Sequence, residues 1–147
     1  MKKRVMCVHT ELVREGSVLY EGKDGNTGIT TTEEAAGFAA SFFGKQDKEL
    51  LYVCAVNGEL EPVLMELVAK GSKNVCYAEP ADIFKSAILA NAYGIFCFHN
   101  HPGGRAKASK EDIDLTARLE ACGVMLGIPL LDLSLIHISE PTRRTPI

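Results

Sequence analysis

The stretch Phe96–Asp112, FCFHNHPGGRAKASKED, decides how the rest of the chain is read. An apolar run ends in two histidines one residue apart, His99 and His101, and Pro102-Gly103-Gly104 then breaks the strand. Ser109 opens a predicted helix that carries Asp112 in its first turn. Residues two apart on a strand point to the same side, so the two imidazoles face one volume. Along the helix, Asp112, Leu115, Thr116, Leu119 and Cys122 recur at i, i+3, i+4 and i+7 and form one stripe. The apolar members must face the sheet, which places Asp112 at the head of the inward face. Asp114, rotated by about 200°, belongs in solvent. Two imidazoles and one carboxylate are a three-ligand set for a divalent metal, and zinc held by three protein groups keeps its fourth position for water.

Plainer roles fit some of the same residues. H-x-H alone is compatible with histidines that cap backbone groups at a strand end. Ser109 and Asp112 also spell a capping box, worth about 1 kcal/mol. That role is compatible with ligation, because a cap that fixes the helix start also aims the carboxylate. Cys97 shares the histidines' strand face, but a buried strand cysteine packs as a small hydrophobe more readily than it ligates.

Working outward, Tyr93–Phe98 reads as a buried strand that delivers the histidines at its end. Pro80 suits the first turn of a helix running through Ile83, Ala87 and Ala90 to a stop at Gly94. Leu50–Val56 is a continuous apolar run, as expected of a central strand covered on both faces. Asn57-Gly58 signals a hairpin to Pro62–Ala69. Thr30–Thr32 followed by Glu33 and Glu34 caps a helix through Phe38 and Phe42 to Gly44. Arg4–Val13 alternates enough to predict a strand, with Ser17–Tyr20 returning as its partner, and Gly22–Gly28 is a turn-rich loop. The terminal helix is expected from Ser109 to about Cys122, and a short strand at Gly127–Leu131. Helices interleaved with mostly buried strands make an α/β (α+β) sandwich.

At 147 residues, with 46% apolar and 24% charged residues, the chain is one ordinary globular domain. Its five cysteines form no C-x-x-C pair and mostly sit in apolar runs, which argues for reduced thiols in a cytoplasmic chain. No signal-peptide core or apolar span of about 20 residues is present, so no membrane role is expected. The net charge of −3 supplies no bulk attraction to nucleic acid. From Leu133 onward, LSLIHISEPTRRTPI resembles the read-through translation of a transposon-end adapter used in sequencing-library preparation. On that reading residues 1–132 are a single domain cut short after about Asp132, and residues 133–147 are not native. His137 is then no ligand, and loss of Glu140, Arg143 and Arg144 takes the charge from −3 to −4.

The spacing His99-x-His101, seven residues, Ser109, two residues, Asp112 resembles the JAMM motif of JAB/MPN-domain metalloenzymes. HNHPGG, SKEDIDLTARL and LGIPLLD are similar to the RadC-like branch, usually labelled a DNA-repair family, and the resemblance covers most of Glu49–Asp132. It implies a central mixed β-sheet sandwiched by helices, with a cytidine-deaminase-like architecture. It implies Zn²⁺ held by His99, His101 and Asp112, with a catalytic glutamate just ahead of the first central strand. KELLYVCAVNGEL is similar to that segment and places the glutamate at Glu49; without the resemblance, Glu66 in LMELV would compete with it. The implied reaction is hydrolysis of a peptide or isopeptide amide, with Glu49 as general base and Ser109 hydrogen-bonded to the developing oxyanion.

The chain departs from the family pattern at several points. Gly103 stands where a serine is usual, and Arg105-Ala106-Lys107-Ala108 replaces acidic and proline residues. Glu79-Pro80-Ala81-Asp82 lacks the usual histidine and arginine, and the histidine expected after Leu131-Asp132 is missing. Within the sequence as given, no helix-hairpin-helix pattern is read ahead of the domain, where full-length relatives are expected to carry one. Two rivals compete with the hydrolase reading. One is a DNA-repair factor or metal-dependent nuclease, favoured only by the Arg105, Lys107 and Lys110 cluster. The other is a non-catalytic MPN binding module. The sequence leaves the substrate and the oligomeric state open.

Overall fold

Leu50–Val56 (β1) is an unbroken apolar strand because it lies inside a sheet packed on both faces; all its residues except Tyr52 are buried. In this computed structural model the described residues are 1–43, 47–71, 78–102 and 107–136, without the side chains of Lys23 and of residues 133–136. β1 pairs antiparallel with Pro62–Lys70 (β2) on one side and with Gly94–Asn100 (β3) on the other. Leu130–Ile136 (β4) lies parallel to β3, so the order is β2-β1-β3-β4 in a mixed four-stranded sheet. Every residue of β3 is buried.

Strand alternation splits the core between the faces. On one side Leu50, Cys54, Val56, Phe96 and Phe98 pack against Thr32–Phe43 (α1) through Ala35, Phe38, Ala39 and Phe43. On the other, Leu51, Val53, Ala55, Ile95 and Cys97 pack with Ile83, Phe84 and Ala87 of Pro80–Leu89 (α2) and with Leu119 of Lys110–Leu126 (α3). The α/β sandwich expected from the sequence is therefore the fold. α1 begins as its residues predict: Glu34 N–H donates to Thr31 Oγ1 at 3.2 Å, while Glu34 Oε2 accepts from the Thr30 and Thr31 N–H groups. α2 and α3 are tied at the surface by Arg118 and Glu79, 2.8 Å apart. The Glu79 carboxylate faces Arg118, and it makes no capping bond to α2.

Three expectations are corrected. Residues 1–20 form no strand or hairpin and are almost wholly exposed. Their alternating apolar residues find no sheet edge, and Tyr20 is the first to pack, edge-on to Phe38 at 5.0 Å. The β1–β2 hairpin, by contrast, forms as the Asn57-Gly58 signal predicts. Asn57 Oδ1 accepts from the N–H groups of Glu59 and Glu61, and the left-handed residue is Leu60 (φ 62°). α2 ends at Leu89 because Asn91 turns left-handed (φ 50°), which leaves Gly94 free to open β3. α3 continues to Leu126, where Gly127 (φ 70°) closes it, and β4 runs to Ile136. The stops foreseen at Gly44 and the Arg105 part of the basic cluster lie outside the described residues. Among those residues no helix is long and apolar enough to cross a membrane.

Candidate metal centre

The site forms where β3 runs out and α3 begins. His99 is opposite Leu51 in the β1–β3 register, on the face that α2 and α3 cover, and His101 follows just past the strand end. Ser109 is the N-cap of α3: its Oγ accepts from Asp112 N–H at 3.1 Å, and its own N–H donates to Asp112 Oδ2 at 2.8 Å. Thr116 Oγ1 donates back to the Asp112 carbonyl at 2.8 Å, tying the first turn. The cap therefore does aim the carboxylate, and Asp114 is exposed on the other face as expected.

One ligand atom from each of His99, His101 and Asp112 lies within 4.8 Å of the other two. His101 Nε2 is 3.1 Å from Asp112 Oδ2, and His99 Nδ1 is 3.6 Å from Asp112 Oδ1. The two imidazoles meet edge to face, with centroids 4.9 Å apart. Glu49 approaches from the start of β1, its Oε1 3.9 Å from His101 Nε2, and all four side chains are at most 16% exposed. Burial pushes the His99 pKa down to about 4, against the smaller upward pull of Asp112. Burial would raise the Asp112 pKa, but the hydrogen bond from His101, the charge of His99 and the two bonds from Ser109 together hold it down at about 2. Near neutral pH the cluster thus presents an uncharged imidazole at His99 and an ionised carboxylate at Asp112, the forms a metal ion requires. Nitrogen and oxygen donors in a 2:1 set fit zinc or another first-row divalent ion.

The competing candidates fall elsewhere. Glu66 sits opposite Val53 on β2, is not in the donor group, and has a buried Oε2 with no hydrogen-bond partner among the described residues. Cys97 is fully buried, and burial raises its thiol pKa far above the ordinary value, so it packs as a thiol. His9 is exposed in the N-terminal segment, and Lys107 and Lys110 are exposed near the start of α3. One residue at the site escaped the sequence reading. Asn100, between the two histidines, is completely buried and bonds to the backbone on both sides of Glu49. The only signal for it was an amide side chain at the end of an otherwise apolar strand.

A family model described as "RadC-like JAB domain" matches residues 29–142. Similar proteins include a UPF0758 protein of Clostridium beijerinckii, 36% identical over 104 residues that make up 71% of this chain and 45% of that protein. A UPF0758 protein of Staphylococcus haemolyticus is 36% identical and one of Geobacillus kaustophilus 35%, each over 71% of this chain and 46% of its own length. The chain spans a little under half the length of these curated relatives.

Proposed function

The chain belongs to the RadC-like JAB domain family, and from that premise we propose that it is a zinc-dependent hydrolase that cleaves a peptide or isopeptide amide. The observation that carries the reading is the position of a second carboxylate: Glu49 Oε1 lies 3.9 Å from His101 Nε2, beside a three-residue donor group but outside it. His99, His101 and Asp112 would hold the zinc. When bound, zinc supplies Lewis-acid polarisation of the scissile carbonyl and draws the pKa of water towards about 7. Glu49 then removes the proton of the attacking water and returns it to the nitrogen of the leaving amine as the C–N bond breaks. Ser109 Oγ accepts its bond from Asp112 N–H, which leaves the hydroxyl hydrogen to donate to the carbonyl oxygen as that oxygen gains charge. The low exposure of all four side chains limits competing water and strengthens these interactions.

Two probes test this: a fluorogenic peptide anilide and a peptide carrying an amide on a lysine side chain, each incubated with zinc-loaded chain. Glu49→Gln is expected to retain metal and lose at least about 10²-fold in turnover, as removal of a general base does. His101→Ala is expected to lose both metal and turnover. A Glu49→Gln protein as active as wild type would end the assignment.

A further inference from the structure

Asn100 lies between the two histidines and takes no part in the donor group. Strand alternation turns it to the face opposite His99, where it is fully buried. Its amide is committed to the segment that carries Glu49. Oδ1 accepts from Leu50 N–H at 2.6 Å, and Nδ2 donates to the Lys48 carbonyl at 3.1 Å. The chemistry of those partners fixes which end of the amide faces which, since an N–H needs an oxygen and a carbonyl needs the NH₂ group. Between these two ties, the Glu49 carbonyl accepts from Gly71 N–H at 2.8 Å. Glu49 precedes the first residue of β1, and the last ladder pair is Leu51 with His99. Beyond that rung, β3 holds the approaching segment through the Asn100 side chain.

We propose that Asn100 is a positioning residue that clamps residues 48–50 and so sets the Glu49 carboxylate beside His101. The run His99-Asn100-His101 then does two jobs: its odd positions present imidazoles on one face, and its middle position anchors the base's backbone from the other. The distance between base and donors is thereby set by a single strand end. The proposal rests on the reading of Glu49 as the general base. Misplacing a reacting group by about 1 Å can cost about 10²-fold in rate, so a clamp on this backbone matters to turnover.

The test uses the full chain loaded with Zn²⁺, with Asn100→Ala and Asn100→Asp. The second variant keeps the shape and the acceptor for Leu50, but turns an oxygen on the Lys48 carbonyl; it guards against simple loss of the fold in the first. With the peptide anilide as probe, kcat is expected to fall about 10²-fold while KM and zinc affinity hold, and Asn100→Ala should cost nothing further in a Glu49→Gln background. In Asn100→Ala, amide hydrogen exchange should speed up at Leu50 and Gly71 by about tenfold or more, with the middle of β1 unchanged. Equal rate losses in both backgrounds, or exchange that rises evenly along β1, would show a merely structural Asn100 and overturn the proposal. A wild-type chain that does not turn over the anilide would count against the hydrolase reading instead. The clamp is then decided on the Co²⁺-loaded protein, whose visible absorption should shift alike in Asn100→Ala and Glu49→Gln and no further in the double variant. A spectrum unmoved by Asn100→Ala would overturn it.

Discussion

His99 and Asp112 face each other at 3.6 Å with protonation states already suited to a cation. That arrangement has a consequence for the metal-free protein. Unfolded, His99 takes up a proton below its ordinary pKa of 6.5; folded, it stays neutral down to about 4. The unfolded state therefore binds more protons in that window, and stability falls as pH drops from 6.5 towards 4. The full shift corresponds to roughly 3 kcal/mol. Asp112 acts lower, its contribution being present above 3.8 and lost as pH falls towards about 2. Chemical denaturation in the presence of a chelator at pH 7.0 and 4.5 should show the first loss, and His99→Gln should flatten it. The residues of this cluster were legible because parity and helical spacing are properties of the sequence: His99 and His101 had to share a side, and Asp112 had to head the inward stripe. Asn100 was not legible. Its partners are 50 and 52 positions away and are backbone atoms, which leave no trace in residue type.

α3 is the element that brings the acid to the imidazoles, and both of its ends are specified. Its start is the reciprocal Ser109–Asp112 box, and its end is Gly127 in the left-handed region. Four residues before that end, Gly123 is buried against the chain leading to β4. A Cβ there would stand 2.7 Å from the Ile128 carbonyl oxygen and 3.1 Å from Leu130 N, both backbone atoms with little room to yield. Gly123→Ala should therefore destabilise the fold by about 1–3 kcal/mol despite its better helix propensity, which thermal unfolding would measure. An unchanged or raised Tm would show that α3 and β4 can move apart. At this scale Asn57-Gly58 signalled the β1–β2 hairpin, whose loop Asn57 closes by accepting from the N–H groups of Glu59 and Glu61. One glycine signal misled. Gly94 was read as a helix stop because glycine commonly is one; Asn91 had already turned the chain.

Across the whole molecule, the sheet order β2-β1-β3-β4 puts the two fully paired strands in the centre, and the centre delivers the chemistry: Glu49 enters β1 as His99 leaves β3. The continuous apolar runs announced those central strands, since only strands covered on both faces need them. The edges were harder. Arg4–Val13 alternates like a strand yet pairs with nothing among the described residues, because alternation describes a face and says nothing about whether an edge is free. Leu133–Ile136, which resembles adapter translation, forms the outer half of β4, and the family match extends through it to residue 142. Ladder bonds are made by backbone groups, so an apolar run can occupy an open edge whatever its origin.

The site depends on one convergence, two strand-end imidazoles with the acid of the next helix, and zinc titration of the metal-free chain measures it directly. Calorimetry should show a single equivalent bound by wild type and by Glu49→Gln. Asp112→Ala should bind at least about 10²-fold more weakly, since it lacks a direct ligand and even supporting residues around a metal are worth 10–100-fold. A wild-type chain that takes up no zinc, or an Asp112→Ala chain that binds it as tightly, would contradict the account.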